Sequence, residues 1–151
     1  MKKCYIMRGL PGSGKSTWIK NNCPNAFVCS ADNYFFHNGV YRYDADKIHI
    51  AHNACMNLFL DCVLAPYLRY DALCIDNTNC QAWEIAPYYT VAEARGYDVE
   101  IVWLQCYVRV ATERNIHNVS EETIRKMSMK MEREQLPQWW KRSTIIVNGS
   151  F

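Results

Sequence analysis

The chain has 151 residues, half of them hydrophobic and 13% aromatic, with a formal net charge of +2. That length builds one domain, 1–151, with a proper core and is too short for two. The composition excludes disorder as the default state, and the near-neutral balance excludes a globally basic nucleic-acid binder, leaving room only for a local basic patch. No apolar run approaches the roughly 20 residues that span a bilayer, and the apolar stretch that ends at Gly9 is too short for a secretory signal peptide.

In chain order, residues 3–8 read as a short buried strand. It runs into Gly9-Leu10-Pro11-Gly12-Ser13-Gly14-Lys15-Ser16, which fits G-x-x-x-x-G-K-[ST] and opens a helix at Ser16-Thr17. In such a loop the N–H groups of the glycine turn and of the helix start converge where an anion is favoured. Gly12, Ser13, Gly14, Lys15, Ser16 and Thr17 are therefore the nucleotide-binding candidates. Lys15 supplies a point charge near the β- and γ-phosphates, and the Ser16 hydroxyl a Mg²⁺ ligand. A plain glycine-rich turn is the bland alternative, and it leaves Lys15 unexplained.

A second strand is expected over 26–30, followed by Ser30-Ala31-Asp32-Asn33. Ligands of doubly wound sheets bind at the carboxyl ends of strands. Asp32 is thereby a candidate general base for an attacking hydroxyl, its alternative being a turn cap. Tyr41-Arg42-Tyr43 offers a cation between aromatic faces for a phosphate and a base, or an edge strand with one face packed. Tyr34, Phe35 and Phe36 form either a stacking platform or a cover over the core. His37, His52 and Arg8 are further acceptor candidates.

A helix is predicted over 46–65, with Ile48, Ala51, Cys55, Leu58 and Cys62 on one face and Pro66 ending or kinking it. His49 and His52 lie three apart on it, but no carboxylate or cysteine has ligand spacing to them. The third strand, 72–76, delivers Asp76 to the metal region or to a cap of Asn77-Thr78-Asn79. A helix over 82–95 follows, with Pro87 in its first turns and Gly96 as its stop. Next come a strand over 99–106 and Arg114, a guanidinium placed to reach over the triphosphate from a lid, or else to pair with a surface glutamate. Ser120 caps a helix whose Ile124, Met127 and Met131 form a core stripe. Residues 135–141 make a turn-rich connection and 144–147 a last strand.

Strands alternating with helices argue for an α/β fold. We expect three layers around a five-stranded parallel sheet of order 2-3-1-4-5, flanked by helices, with a helical lid. The eight cysteines, at 4, 23, 29, 55, 62, 74, 80 and 106, contain no C-x-x-C pair and fall mostly inside apolar patterns. They read as buried, reduced thiols of a protein in the reducing cytoplasm.

The set of motifs resembles the polynucleotide 5′-hydroxyl kinase family, which includes the kinase domain of the bacteriophage end-healing enzyme and those of RNA-repair proteins. It carries a phosphate loop, Asp32-x-Tyr34 after the second strand, Thr78-Asn79 after the third and Arg114-Asn115 on the lid. The wording is also similar to the P-loop kinase-like domains of animal ubiquitin-ligase-binding proteins, through Ser30-Ala31-Asp32, Tyr41-Arg42-Tyr43-Asp44 with Ala51-His52, Asp76-Asn77-Thr78-Asn79 and Arg114-Asn115-Ile116-His117. The resemblance implies ATP and Mg²⁺ as cofactors, Lys15 and Ser16 at the triphosphate, Ser16 and Asp76 at the metal, Asp32 as base and Arg114 as lid arginine. The implied substrate is a nucleic-acid 5′-hydroxyl end. The chain departs from the phage pattern at two acceptor positions, where Phe35 and Asn118 replace arginines. Arg42, Tyr34 and His52 are then the acceptor-binding candidates. The rival readings are a kinase for a nucleoside, sugar or antibiotic, and a binding module that uses ATP to fix a conformation. Binding alone needs no base, which counts against the module.

Overall fold

The computed structural model describes residues 2–65 and 69–148. In chain order the strands are β1 (Lys3–Gly9), β2 (Phe27–Cys29), β3 (Phe36–His37), β4 (Val40–Tyr41), β5 (Ala72–Asp76), β6 (Asp98–Cys106) and β7 (Arg142–Val147). The α-helices are α1 (Lys15–Asn22), α2 (Ile48–Val63), α3 (Ala82–Ala94), α4 (Val108–Arg114) and α5 (Glu121–Arg133). Short 3₁₀ turns cover Ala31–Phe35 and Ala45–Lys47.

The main sheet has the order β2-β5-β1-β6-β7 with all neighbours parallel. This is the expected 2-3-1-4-5 once the small β3–β4 hairpin is set aside. β1 lies at the centre, with Met7 opposite Asp76 on one side and Val102 on the other. Because every strand runs the same way, the ends of β1, β2, β5 and β6 meet at one edge, where a ligand site of such sheets forms.

Side chains of a strand alternate between faces. Cys4 and Ile6 of β1, Leu73 and Ile75 of β5, and Val99 and Ile101 of β6 pack with α2 and α3 through Ala51, Cys55, Phe59, Ile85 and Tyr88. Met7, Cys74, Val102 and Leu104 take the opposite face with Ile19 and Cys23 from α1 and the residue after it. Helices on both faces explain why these strands read as near-continuous apolar runs. The stripe on α5 is core as expected: Ile124 and Met131 pack with Leu10, Cys80 and Ala111, and Met127 lies against them. Seven of the eight cysteines are buried, and all are free thiols. Among the described residues no helix is long and apolar enough to cross a membrane.

Local differences from the sequence expectation have physical causes. Asp46 is taken up by a 3₁₀ turn, where Asp44 accepts its N–H at 3.0 Å, so α2 starts at Ile48. The buried face of α2 is Ala51, Cys55, Phe59, Cys62 and Val63, whereas Ile48 and Leu58 are exposed. Three-and-four spacing from Cys55 allows either Leu58 or Phe59, and the larger ring takes the core position against Tyr88 at a centroid distance of 4.9 Å. Pro66 lies outside the described residues. Pro87 falls at the sixth residue of α3, and the helix runs on to Ala94, with Gly96 beyond it at φ +88°. Ser120 caps α5 by accepting the Thr123 N–H at 3.2 Å.

Candidate active site

The phosphate loop owes its path to glycine. Gly12 and Gly14 have φ of +83° and +98°, a region other residues avoid. A Cβ on Gly12 would stand 2.3 Å from the Ala111 carbonyl of α4 and 3.0 Å from the Asn115 nitrogen, so the loop lies directly against the end of α4. Gly9 is equally confined, since a Cβ there would meet the Ser13 hydroxyl at 2.5 Å. Ser13 is itself fully buried under the loop, and its N–H bonds to the Leu10 carbonyl at 3.0 Å. Ser13 therefore shapes the turn from within.

Gly14 opens α1 without a side-chain cap, and no acid occupies the first turn. The first N–H groups of a helix have no partner inside it, so those at the start of α1 face the loop with partial positive charge. The Lys15 ammonium curls back to donate to the carbonyls of Gly9 and Leu10, both at 3.0 Å. Burial pulls its pKa down, and the nearby carboxylates of Asp76 and Asp32 push the other way. Ser16 donates to Asp76 Oδ2 at 2.8 Å, which brings the hydroxyl and the carboxylate named from sequence into contact. A cradle that a Cβ would fill, an uncapped helix start, a lysine among loop carbonyls and a hydroxyl–carboxylate pair together fit a Mg²⁺-bound triphosphate. Among the described residues no cluster of three or more His, Cys, Asp or Glu gathers for a metal, and His49 and His52 are exposed on α2.

Asp32 sits in the 3₁₀ turn after β2, with its N–H bonded to Ser30 Oγ at 3.2 Å. The turn-cap role suggested by sequence thus falls to Ser30, and the Asp32 carboxylate is left 49% exposed. Tyr41 donates to its Oδ1 at 3.2 Å, and His117 Nε2 stands 3.8 Å from its Oδ2. Tyr41 and His117 lie ring on ring, 4.2 Å between centroids. The sequence reading had Tyr41 only as an aromatic face beside Arg42 and His117 only within the Arg114-Asn115-Ile116-His117 motif, and linked neither to Asp32. The Asn38-Gly39 dipeptide is the signal that finds Tyr41, because Asn-Gly selects the tight turn of a β-hairpin. Both residues have positive φ, and the turn pairs Phe36 with Tyr41.

Arg114 ends α4. Its charge, with that of Lys15, bears on the Cys106 thiol at the end of β6. Because Ala111 and Asn115, on either side of Arg114, abut Gly12, Arg114 stands at the same sheet edge as the loop. Burial, the larger influence, still raises the Cys106 pKa.

The acceptor candidates divide. Arg42 is exposed and follows the hairpin, its N–H bonded to the Phe35 carbonyl at 2.8 Å. Tyr34 is half-buried, packed on the core edge-on to Phe35, and His52 is exposed on α2. Phe35 is 1% exposed, a core residue rather than a platform. Arg8 is 2% exposed and spends its donors on the carbonyls of Asn79, Cys80 and Met131, with Trp103 beside the guanidinium at 4.6 Å. That leaves Arg8 no face for a ligand. Asn77 and Asn79 are fastened inward, to the Ala31 N–H at 2.9 Å and the Met7 carbonyl at 2.7 Å, and so fix the strand ends that carry the site.

Residues 5–142 match the AAA domain family. The chain belongs to that family. Human (Homo sapiens) NEDD4-binding protein 2 is 35% identical over 129 residues, covering 81% of this chain and 7% of that protein. The 2′,3′-cyclic-nucleotide 3′-phosphodiesterase of Rattus norvegicus is 28% identical over 147 residues, covering 90% of this chain and 33% of that protein. The chain thus spans a small part of one relative and a third of the other. Among solved structures, one from the Pnkp1/Rnl/Hen1 RNA repair complex matches with a TM-score of 0.68 at 16% identity, over 87% of this chain and 44% of that one. Another, from the PezAT chromosomal toxin-antitoxin system of Streptococcus pneumoniae, has a TM-score of 0.58 at 13% identity, over 88% and 62%. At such identities the structural likeness shows the fold alone, a five-stranded parallel sheet flanked by helices.

Proposed function

We propose that this chain is an ATP-dependent phosphotransferase that moves the γ-phosphoryl group, with Mg²⁺, to the 5′-hydroxyl end of RNA or DNA. The observation that supports the reading is the half-exposed carboxylate of Asp32 in the turn after β2, at the sheet edge that carries the loop, where its charge bears on Lys15. A loop built only to hold a nucleotide has no use for a carboxylate there, whereas transfer to a hydroxyl needs a proton acceptor.

In this reading the N–H groups at the start of α1, with Gly12 and Gly14, hold the phosphates. Lys15 leaves the loop carbonyls to follow the β- and γ-oxygens. Ser16 and Asp76 would hold the metal, which when bound would neutralise charge on the transferring group. Asp32 takes the proton of the acceptor hydroxyl, and Arg114 meets charge that develops on the phosphoryl oxygens. The oxygen–phosphorus bond to the acceptor forms as the bond to the bridging oxygen of the leaving diphosphate breaks.

A nucleic-acid end is favoured as acceptor because a chain in this fold class belongs to an RNA repair complex and a relative is named for cyclic nucleotides. A small-molecule acceptor is the second reading, and one observation favours it. The residue three positions after Asp32, an arginine in the phage pattern, is Phe35, wholly enclosed in the core. A radiolabelled γ-phosphate transfer screen decides between them, offering 5′-hydroxyl RNA, 5′-hydroxyl DNA, mononucleotides and a metabolite pool. Label on the oligonucleotides supports the first reading, and label only on a small hydroxyl compound replaces it with the second.

A further inference from the structure

We propose that Tyr41 and His117 position the acceptor step: the Tyr41 phenol commits one oxygen of Asp32, and the His117 imidazole marks where the acceptor hydroxyl sits against the other. The proposal rests on the phosphotransfer reading above.

Asp32 has a fixed backbone and a half-exposed side chain, so nothing in its own turn chooses a carboxylate orientation. Two residues from separate elements make that choice. Tyr41 comes from the hairpin and donates to Oδ1 at 3.2 Å. Its ring is held against Phe35, Phe36 and His117, at centroid distances of 6.1, 5.2 and 4.2 Å. Burial and the charge of Asp32 both raise the Tyr41 pKa, so the phenol stays a donor throughout the neutral range. With Oδ1 committed, Oδ2 is the oxygen left to take a proton.

His117 follows α4 and stands 3.8 Å from that second oxygen. The distance is too long for a direct hydrogen bond, yet an oxygen seated about 2 Å to the side of the line joining the two atoms lies at about 2.8 Å from each, within hydrogen-bond range of both. The acceptor hydroxyl fills that notch. It donates its proton to Oδ2 and is aligned by Nε2, while its electron pair forms the bond to phosphorus. The backbone that carries the imidazole is fixed, since the main-chain N–H of His117 donates to Asn115 Oδ1 at 3.1 Å and Asn115 Nδ2 donates to the Val119 carbonyl at 2.7 Å, while the ring itself lies on Tyr41. Asn115 also abuts Gly12 of the phosphate loop. One short segment therefore touches both the phosphate side and the base side, and sets their spacing.

The test compares Tyr41→Phe, His117→Ala, His117→Gln and Asp32→Asn with the wild type on the acceptor identified by the transfer screen. Tyr41→Phe keeps the stacked ring and removes only the hydroxyl. It should lower kcat about tenfold, the worth of a hydrogen bond to a charged group, and leave KM for ATP unchanged. His117→Ala should lower kcat and raise KM for the acceptor, with His117→Gln recovering part through its amide N–H. In an Asp32→Asn background the Tyr41→Phe loss should vanish, because residues that act through one another are not additive. Independently of activity, NMR titration of ¹³C-labelled tyrosine should show Tyr41 ionising at lower pH in Asp32→Asn than in wild type. Wild-type kcat in Tyr41→Phe, losses that multiply with Asp32→Asn, or an unmoved Tyr41 titration would each overturn the proposal. A wild-type protein that phosphorylates nothing in the screen overturns the phosphotransfer reading instead, and the Tyr41 titration then still decides whether the contact exists.

Discussion

Lys15 donates to two carbonyls of its own loop, so its ammonium is satisfied before any phosphate arrives. Binding a triphosphate must exchange those bonds for stronger ones to anionic oxygens. Lys15→Ala should therefore abolish transfer and weaken ATP binding, read by calorimetric titration alongside the label assay. Asp32→Asn keeps the size and the Tyr41 contact but cannot take a proton. It should cut turnover by about 10²–10⁴-fold at saturating acceptor while ATP affinity holds. Arg114→Ala should lower turnover more than ATP affinity, with Arg114→Lys a poor rescue, because a point charge does not reproduce the planar fork. Equal losses in affinity and rate would make Arg114 a ground-state binding residue. The places of Lys15 and Ser16 were legible in the sequence because the loop motif fixes them to a helix start, and that of Asp76 because it ends the apolar run 72–75 of a buried strand. The partners of Asp32 were not, because Tyr41 and His117 meet it from 9 and 85 residues away, and no local pattern encodes such a meeting.

Elements were legible where a period or a cap dictates them and less so where two rules compete. The capping of α5 by Ser120, the stop at Gly96 and the stripe Ile124–Met127–Met131 follow from local chemistry alone. The face of α2 did not, because Leu58 and Phe59 both satisfy the spacing and packing volume decides between them. Alternation lets Tyr41-Arg42-Tyr43 read as an edge strand or as a cation between aromatic faces, whereas the chain forms the β3–β4 hairpin that Asn38-Gly39 encodes. Gly39 gives a test at this scale. Its φ is +80°, and a Cβ there would meet nothing within 4 Å, so Gly39→Ala has a conformational cost alone, of about 1–2 kcal/mol. The strain falls on a two-residue ladder that carries Tyr41. Gly39→Ala should accordingly depress kcat toward the Tyr41→Phe value while shifting global unfolding by only a few degrees in a thermal melt.

At the scale of the molecule, alternation of strands and helices pointed to a parallel sheet, and the observed order places β1 at its centre beside β5, so that the Gly9 loop and Asp76 meet at one edge. What the sequence hid is how α5 is tied to that sheet. Arg8 stands in an apolar strand next to the phosphate loop, and its charge suggested a ligand. The alternation of β1 instead turns it to the same face as Cys4 and Ile6, where it meets the Asn79–Cys80 turn and the carbonyl of Met131 near the end of α5. Three carbonyls that would otherwise lie buried without a donor take their hydrogen bonds from one guanidinium, and Trp103 covers its plane. Arg8→Met fills similar space and leaves those acceptors unmet, each at about 1–3 kcal/mol, offset by relief of the buried charge. The expected net loss is about 3 kcal/mol, a fall of roughly 10 °C in Tm for a chain of this size. Arg8→Lys should not restore it, because an ammonium can neither span three carbonyls nor stack on the indole. Assayed well below its melting temperature, Arg8→Met should keep the wild-type KM for acceptor. A raised acceptor KM with an unchanged Tm would return Arg8 to the binding site and remove it from the core.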